Sequence, residues 1–191
     1  MWKKLIGCMT AFLVVVVVQA EEKSDLELKL VAKSPTVTVD LGGKTSEEYT
    51  KELQKDLDAA KKGDPVVLPA PLKVELELQV VNTSKKDVTI GVMGDVNQVN
   101  FTVKGPSVLT GSPLLAFTTD FRLPQEKTLK PGESYTMKIG SLVDGFRGAS
   151  RMIYLTEAGK YTLSATFQLA EGEGKGPLLK SNTVELLVKT K

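Results

Sequence analysis

The sequence predicts an all-β protein, an antiparallel β-sandwich with one inserted α-helix, on three observations. Apolar and polar residues alternate in many short segments, for example at Val74, Leu76, Leu78 and Val80, and this is the period of a half-buried strand. Turn-forming residues separate these segments at the spacing typical of a sandwich. Only one segment, about 45–62, has the period of a helix.

The strand pattern occurs throughout the chain, and no repeated unit indicates a propeller or a solenoid. Turn signals such as Asn82-Thr83-Ser84 and Lys130-Pro131-Gly132-Glu133 separate the strands. The predicted strands are 26–30, 36–40, 72–82, 87–93, 98–104, 133–139, 160–169 and 182–189.

The helix is predicted by its two ends and by one apolar stripe. Thr45 and Glu48 have the spacing of a capping box, and Gly63 followed by Pro65 ends the pattern. The stripe is narrow and consists of Tyr49, Leu53, Leu57 and Ala60. We expect a solvated helix laid over one edge of the sandwich, and a partner-docking helix is the alternative.

Two further segments interrupt the alternation. The stretch 105–124 is rich in Gly, Pro, Ser and Thr but also carries Leu114, Leu115, Phe117 and Phe121. We expect it to cross between the sheets and bury those side chains, with a short edge strand at 114–121. The segment 171–177 is expected to form a mobile hairpin tip.

Residues 1–20 have the pattern of an export signal. Lys3 and Lys4 precede an apolar run from Leu5 to Val18, and Val18-Gln19-Ala20 has the small residues of a cleavage site. We therefore expect a periplasmic or secreted domain of residues 21–191 with no membrane span after cleavage. Retention of the segment as an anchor is the alternative, although the apolar run is short for a bilayer.

Composition excludes several classes of function. The chain has no histidine, and its single cysteine, Cys8, lies in the signal. Nucleophile systems that need histidine or cysteine, and sites that bind zinc, copper or haem through these residues, are therefore excluded. Removal of Lys3 and Lys4 would leave 23 basic and 23 acidic residues, and this balance argues against nucleic-acid binding.

The remaining chemistries have little support, so we expect no enzyme, no cofactor and no metal. Acidic residues in the predicted strands occupy solvent-facing positions, although a carboxylate-dependent hydrolase remains an alternative. Loop residues Asp95, Asn97, Asp120 and Asp144 offer oxygen ligands for calcium, but their spacing is not that of a calcium loop.

Arginine usage gives one candidate site. The three arginines, Arg122, Arg147 and Arg151, fall within a thirty-residue stretch. Aromatic residues accompany them, and arginine with aromatics is typical of interface anchors. The candidate interaction or structural patch is Arg122, Arg147, Arg151, Phe121, Phe146 and Tyr154. In the structural alternative, Arg147 bridges a loop to Asp120, Asp144 or Glu157.

The segment Glu157-Ala158-Gly159-Lys160-Tyr161-Thr162-Leu163 resembles the tyrosine corner of immunoglobulin-like domains. The resemblance implies an immunoglobulin-like sandwich in which Tyr161 is structural and 160–169 pairs with 180–189. Leu163 occupies the position of the disulfide cysteine in antibody domains, and Trp2 lies in the signal. These two departures argue against an antibody-type domain.

Two family resemblances cover more of the chain. Leu78–Ile90 and Leu129–Tyr135 resemble turns of bacterial immunoglobulin-like domains, including the BsuPI-type proteinase-inhibitor family. The aromatic and glycine motif of that family is missing after the first hairpin, so inhibition is not implied. Nearly all of residues 21–191 is similar to uncharacterised secreted proteins of planctomycete-like bacteria, through Asp40–Thr45, Phe121–Pro124 and Gly145–Gly148.

Together these observations predict an exported, non-catalytic binding or interaction module. The expected partner is a protein or a component of the cell envelope. The alternative is an envelope-associated inhibitor or adhesin subunit that acts by strand addition.

Overall fold

The computed structural model describes residues 24–112, 120–146 and 150–191. Strands make up 53% of the structure and there is one helix, which confirms the predicted all-β, sandwich-like fold with a single helical insertion. The predicted signal peptide, Arg147 and most of the predicted edge strand at 114–121 lie outside the described residues. Asp120 and Phe121, at the end of that segment, are not in a strand.

The elements are numbered in chain order. The helix α1 spans Ser46–Lys62. The strands are β1 Leu26–Ala32, β2 Thr36–Val39, β3 Lys73–Asn82, β4 Val88–Val92, β5 Val99–Lys104, β6 Val108–Gly111, β7 Gln125–Leu129, β8 Ser134–Ser141, β9 Val143–Asp144, β10 Arg151–Leu155, β11 Gly159–Glu171, β12 Gly174–Lys180 and β13 Val184–Thr190.

The first sheet has the order β1-β3-β8 and is antiparallel. Its register places Leu30 opposite Leu78 and Leu28 opposite Val80. All four of these side chains are buried because the period of two sends every second residue of each strand to the same face. The alternation seen in the sequence therefore forms one wall of the core.

The largest sheet is organised around β11. This long strand pairs with β12 and β13 on one edge and with β4 and β5 on the other. The sheet ends in β7 beyond β4 and in β2 beyond β13, and β2 runs parallel to β13. Tyr161 opposite Leu186 and Leu163 opposite Val184 give the pairing of the last strands that the tyrosine-corner resemblance implies.

The helix covers a third, smaller sheet of order β6-β10-β9. Thr45 and Glu48 form the predicted capping box, and Gly63 adopts a left-handed conformation with φ of 87° that ends the helix. Leu53 and Leu57 are buried against Tyr154 of β10. The narrow apolar stripe is therefore used within the domain.

The segment 171–177 contains the tip of a hairpin between β11 and β12, as expected. The turn is short, with Gly172 at φ of 57°, and β12 begins at Gly174 and pairs back onto β11. The strands β6, β7, β9, β10 and β12 are not among those that the alternation of apolar and polar residues predicted. No helix among residues 24–112, 120–146 and 150–191 is long and apolar enough to cross a bilayer.

The two lateral sides of the sandwich are different. On one side, β1 forms a parallel bridge from Leu28 to Ser181, and Asn182 bonds both backbone groups of Leu30 at 2.8 and 3.1 Å. These contacts join the first sheet to the largest one. On the other side, β7 and β8 are the terminal strands of two separate sheets in the described part of the chain.

Candidate functional site

Three exposed apolar side chains lie on two loops at one end of the sandwich. Met93 is 52% exposed, Phe121 is 56% exposed and Leu123 is 57% exposed. We call Met93, Phe121 and Leu123 the apolar loop surface. The exposure of Phe121 corrects the expectation that it is buried in a crossing between the sheets.

An ion pair holds the two loops together. The Arg122 guanidinium donates through Nε to Asp95 Oδ1 at 2.9 Å, and the Arg122 backbone N–H donates to Asp95 Oδ2 at 3.0 Å. In return, the Asp95 backbone N–H donates to the Arg122 carbonyl at 2.9 Å. The Asp95 side chain is 0% exposed and that of Arg122 is 75% exposed, so the carboxylate is the buried anchor of the pair.

The backbone at Met93 has an unfavourable conformation. Its φ is 65°, which makes it a non-glycine residue in the left-handed region, at a cost of roughly 1–2 kcal/mol. The next residue, Gly94, lies so close to Pro124 that an added Cβ would be 2.6 Å from the proline nitrogen. This close approach brings the Met93 loop against the loop of Phe121 and Leu123.

Arg151 makes a separate and more buried contact at the start of β10. Its Nε and Nη2 donate to the two carboxylate oxygens of Asp144 at 2.9 and 2.5 Å, and Nη2 also donates to the Phe101 carbonyl at 2.8 Å. The Phe101 N–H donates to Asp144 Oδ2 at 2.6 Å. The hydrogen bond to Asp144 raises the pKa of Arg151.

The structure divides the predicted arginine–aromatic patch. Phe121 and Arg122 belong to the apolar loop surface and its ion pair, whereas Arg151 is bound to Asp144 of β9. Tyr154 is 4% exposed and donates its hydroxyl to the Pro69 carbonyl at 3.1 Å. Because α1 covers it, Tyr154 can belong to the predicted patch only in its structural alternative. Phe146 is half-buried.

Arg147 lies outside the described residues. Asp144, one of the three partners suggested for it, forms an ion pair with Arg151. Sequence reasoning did not identify Met93, Leu123 or Asp95 as part of the site. Met93 was placed at the end of the predicted strand 87–93, whereas β4 ends at Val92, and the only sequence signal for Leu123 was that it is a large apolar residue outside a strand pattern. Asp95 carried no signal for its pairing with Arg122, since 27 residues separate them.

Tyr161 is bonded as the tyrosine-corner resemblance implies. Its hydroxyl lies 2.9 Å from the Glu157 carbonyl oxygen and 3.0 Å from the Ser107 carbonyl oxygen, and it accepts the Ser107 N–H at 3.2 Å. The ring is fully buried. Burial raises the pKa of Tyr161. These contacts give the residue a structural role.

The loop residues considered for calcium are engaged in other bonds. Asp95 and Asp144 accept from Arg122 and Arg151. The Asn97 amide donates to the carbonyls of Gly91 and Gln168 at 2.9 and 3.0 Å. Across the described residues, no group of three His, Cys, Asp or Glu side chains is arranged to hold a metal ion.

No protein-family model matches the chain, and a search of curated proteins gives no significant match.

Proposed function

We propose that the chain is an exported, non-catalytic binding module that contacts a protein or another envelope component through the apolar loop surface. The observation that carries this proposal is the exposure of Met93, Phe121 and Leu123 on two loops fixed by a buried carboxylate. Full burial of a fully exposed side chain of this size is worth about 1.5–3 kcal/mol, and about half of that remains to be gained here because the three side chains are about half exposed. A partner that covers all three therefore gains substantial binding energy.

The fixed geometry of the loops supports binding further. Loops that are already ordered lose little conformational entropy on association. The Asp95–Arg122 pair and the contact of Gly94 with Pro124 order these loops in the free protein. Glycine would be less strained than methionine at the φ of position 93 and would expose no apolar side chain. The presence of methionine there is consistent with a role for its side chain in binding.

The bonding of the buried carboxylates supports a non-catalytic role. Asp95 and Asp144 are bound to arginine and to backbone N–H groups, so they act in the folding of the loops. Export is supported by the signal pattern of residues 1–20.

The test is a capture experiment with the domain of residues 21–191 immobilised and exposed to an envelope extract of the producing organism. The apolar loop surface is removed with the triple variant M93G/F121S/L123S. Val67→Ser is the matched control, because Val67 is 94% exposed on the connector after α1. Captured proteins are identified by mass spectrometry, purified and titrated against each variant.

We expect one species that binds the unmodified domain and the Val67→Ser variant and is lost with the triple variant. Circular dichroism must show that the triple variant is folded. Capture that is equal for the triple variant, or the absence of any specific species, would refute the proposal.

A further inference from the structure

The lateral edge of β8 is a second surface available for binding. β8 ends its sheet in the described part of the chain, and its eight residues alternate between exposed and half-buried. Terminal strands expose unpaired backbone groups that can pair with another chain. On the opposite side of the sandwich, Ser181 and Asn182 already bond β1, and the terminal strand β2 is only four residues long.

The alternation of hydrogen bonds between β3 and β8 shows which backbone groups of β8 point away from the sheet. Asn82 donates its N–H to the Glu133 carbonyl at 3.0 Å, and the register continues with Val80 opposite Tyr135 and Leu78 opposite Met137. Because antiparallel pairs alternate, the odd-numbered residues of β8 bond β3. The N–H and C=O groups of Thr136 and Lys138 therefore point away from the sheet.

The side chains beside this edge are apolar on the inner face. Tyr135, Met137 and Ile139 are half-buried and pack against the core. Lys127 of β7 crosses this region, with its ammonium 5.5 Å from the centroid of the Tyr135 ring. An added strand with apolar residues at alternate positions would complete the burial of Tyr135, Met137 and Ile139.

The charges at this edge indicate the chemistry of the occupant. Lys127 and Lys138 form no ion pair with any described carboxylate. Lys138 lies opposite Glu77, whose carboxylate binds Lys33 at 3.0 Å and interacts with the charge of Lys138 only over a longer distance. A second copy of β8 would bring another lysine to the same edge, and lysine on an edge strand acts against self-pairing. An added strand with acidic side chains would place negative charge beside both lysines and is therefore complementary to this edge.

We propose that β8 binds an extended, acidic and partly apolar segment of a partner polypeptide as an additional strand. The inference rests on the proposed function in taking the partner to be a polypeptide, but it uses a different surface. Backbone bonds to Thr136 and Lys138 would give affinity, and Lys127 and Lys138 would select acidic side chains.

The experiment uses residues 21–191 and two blocked peptides of the length of β8. One peptide alternates valine with glutamate and the other alternates valine with lysine. Binding is measured by fluorescence anisotropy at low salt, and amide exchange by NMR locates the contact. We expect the glutamate peptide to bind and to protect the N–H groups of Thr136 and Lys138.

Variants of β8 test the charge and the backbone separately. Lys138→Glu should weaken the glutamate peptide about tenfold, since it replaces attraction by repulsion. Thr136→Pro removes one outward N–H without affecting the bonds to β3, and Thr136→Ala keeps that N–H as its control. Lys175→Glu on β12 is the matched charge control on the other side and should change binding less than twofold.

The proposal is overturned if neither peptide binds, if the lysine peptide binds more tightly, or if protection appears away from β8. Self-association of the unmodified domain that Lys138→Glu abolishes would also overturn it in favour of a second copy. If Thr136→Pro fails to fold, Lys138→Glu and the exchange data still decide. The triple variant of the apolar loop surface should bind the glutamate peptide normally, so a failure of this proposal can be distinguished from a failure of the proposed function.

Discussion

Removal of the Arg151 side chain should destabilise the domain substantially. The substitution Arg151→Ala deletes two bonds to Asp144 and one to the Phe101 carbonyl. The Asp144 side chain is only 1% exposed, so its carboxylate would keep the Phe101 N–H as its one remaining partner among those described here. The loss therefore comes mainly from a buried charge without its counterion.

The magnitude follows from the exposure of the two partners. Removing one member of a fully buried ion pair costs about 3–5 kcal/mol. The Arg151 side chain is 40% exposed, so water can enter the space it leaves and solvate part of the carboxylate. We expect a decrease in the free energy of unfolding of about 2–3 kcal/mol after this discount.

Arg122→Ala is the matched control. Its partner Asp95 is equally buried, but Arg122 is 75% exposed and its backbone N–H still donates to Asp95 Oδ2 after the substitution. The expected loss is about 1 kcal/mol or less. Urea unfolding followed by far-UV circular dichroism measures both variants. A loss for Arg151→Ala no larger than that for Arg122→Ala would contradict the reasoning.

Three further changes test the corner, the packing and the helix cap. Tyr161→Phe should cost about 1–2 kcal/mol. Burial raises the pKa of Tyr161 in the folded state, so the neutral hydroxyl stabilises the fold below the usual tyrosine pKa, and this contribution is lost as the pH rises through the raised pKa. The free energy of unfolding should therefore decrease less at alkaline pH for the phenylalanine variant than for the unmodified protein. Gly105→Ala should prevent normal packing, because its Cβ would lie 2.1 Å from the Tyr161 ring, whereas Gly140→Ala meets no atom within 4 Å and should melt near the unmodified protein. The backbone hydrogen bond from Thr45 lowers the pKa of Glu48. The Glu48 carboxylate therefore stabilises the fold above the usual glutamate pKa, and this contribution is lost as the pH falls through the lowered pKa. The melting temperature of Glu48→Gln should decrease less in acid than that of the unmodified protein, and an equal decrease would contradict this.

Local periodicity predicted most of the strands because the burial of one face leaves a period of two in the sequence. It missed β10, whose residues Ile153, Tyr154 and Leu155 are all buried, because α1 covers a face that would otherwise alternate with polar residues. It missed β7 for the opposite reason. Four of its five residues are exposed at the end of a sheet, so no apolar pattern is required.

The candidate site was less predictable than the fold. Tyr154 was assigned to an interaction or structural patch because aromatic residues near arginines often form interfaces, but the helix inserted far earlier in the chain buries it. The Asp95–Arg122 pair depends on how two loops meet in space. Met93 and Leu123 are exposed because of how these two loops pack together. Such packing leaves no periodic pattern in the sequence.

The position of β11 in the chain affects when the protein can fold. β4, β5, β12 and β13 all pair with this strand, which begins at Gly159. A nascent chain that ends before Gly159 has already made β4 and β5 but lacks the strand that joins them. Contacts between residues far apart in sequence form slowly, and here the largest sheet must wait for nearly the whole polypeptide. If the chain is exported during synthesis, as its proposed signal would allow, the strand that completes the largest sheet is among the last to be made, so the earlier segments can enter a translocation channel before the core closes.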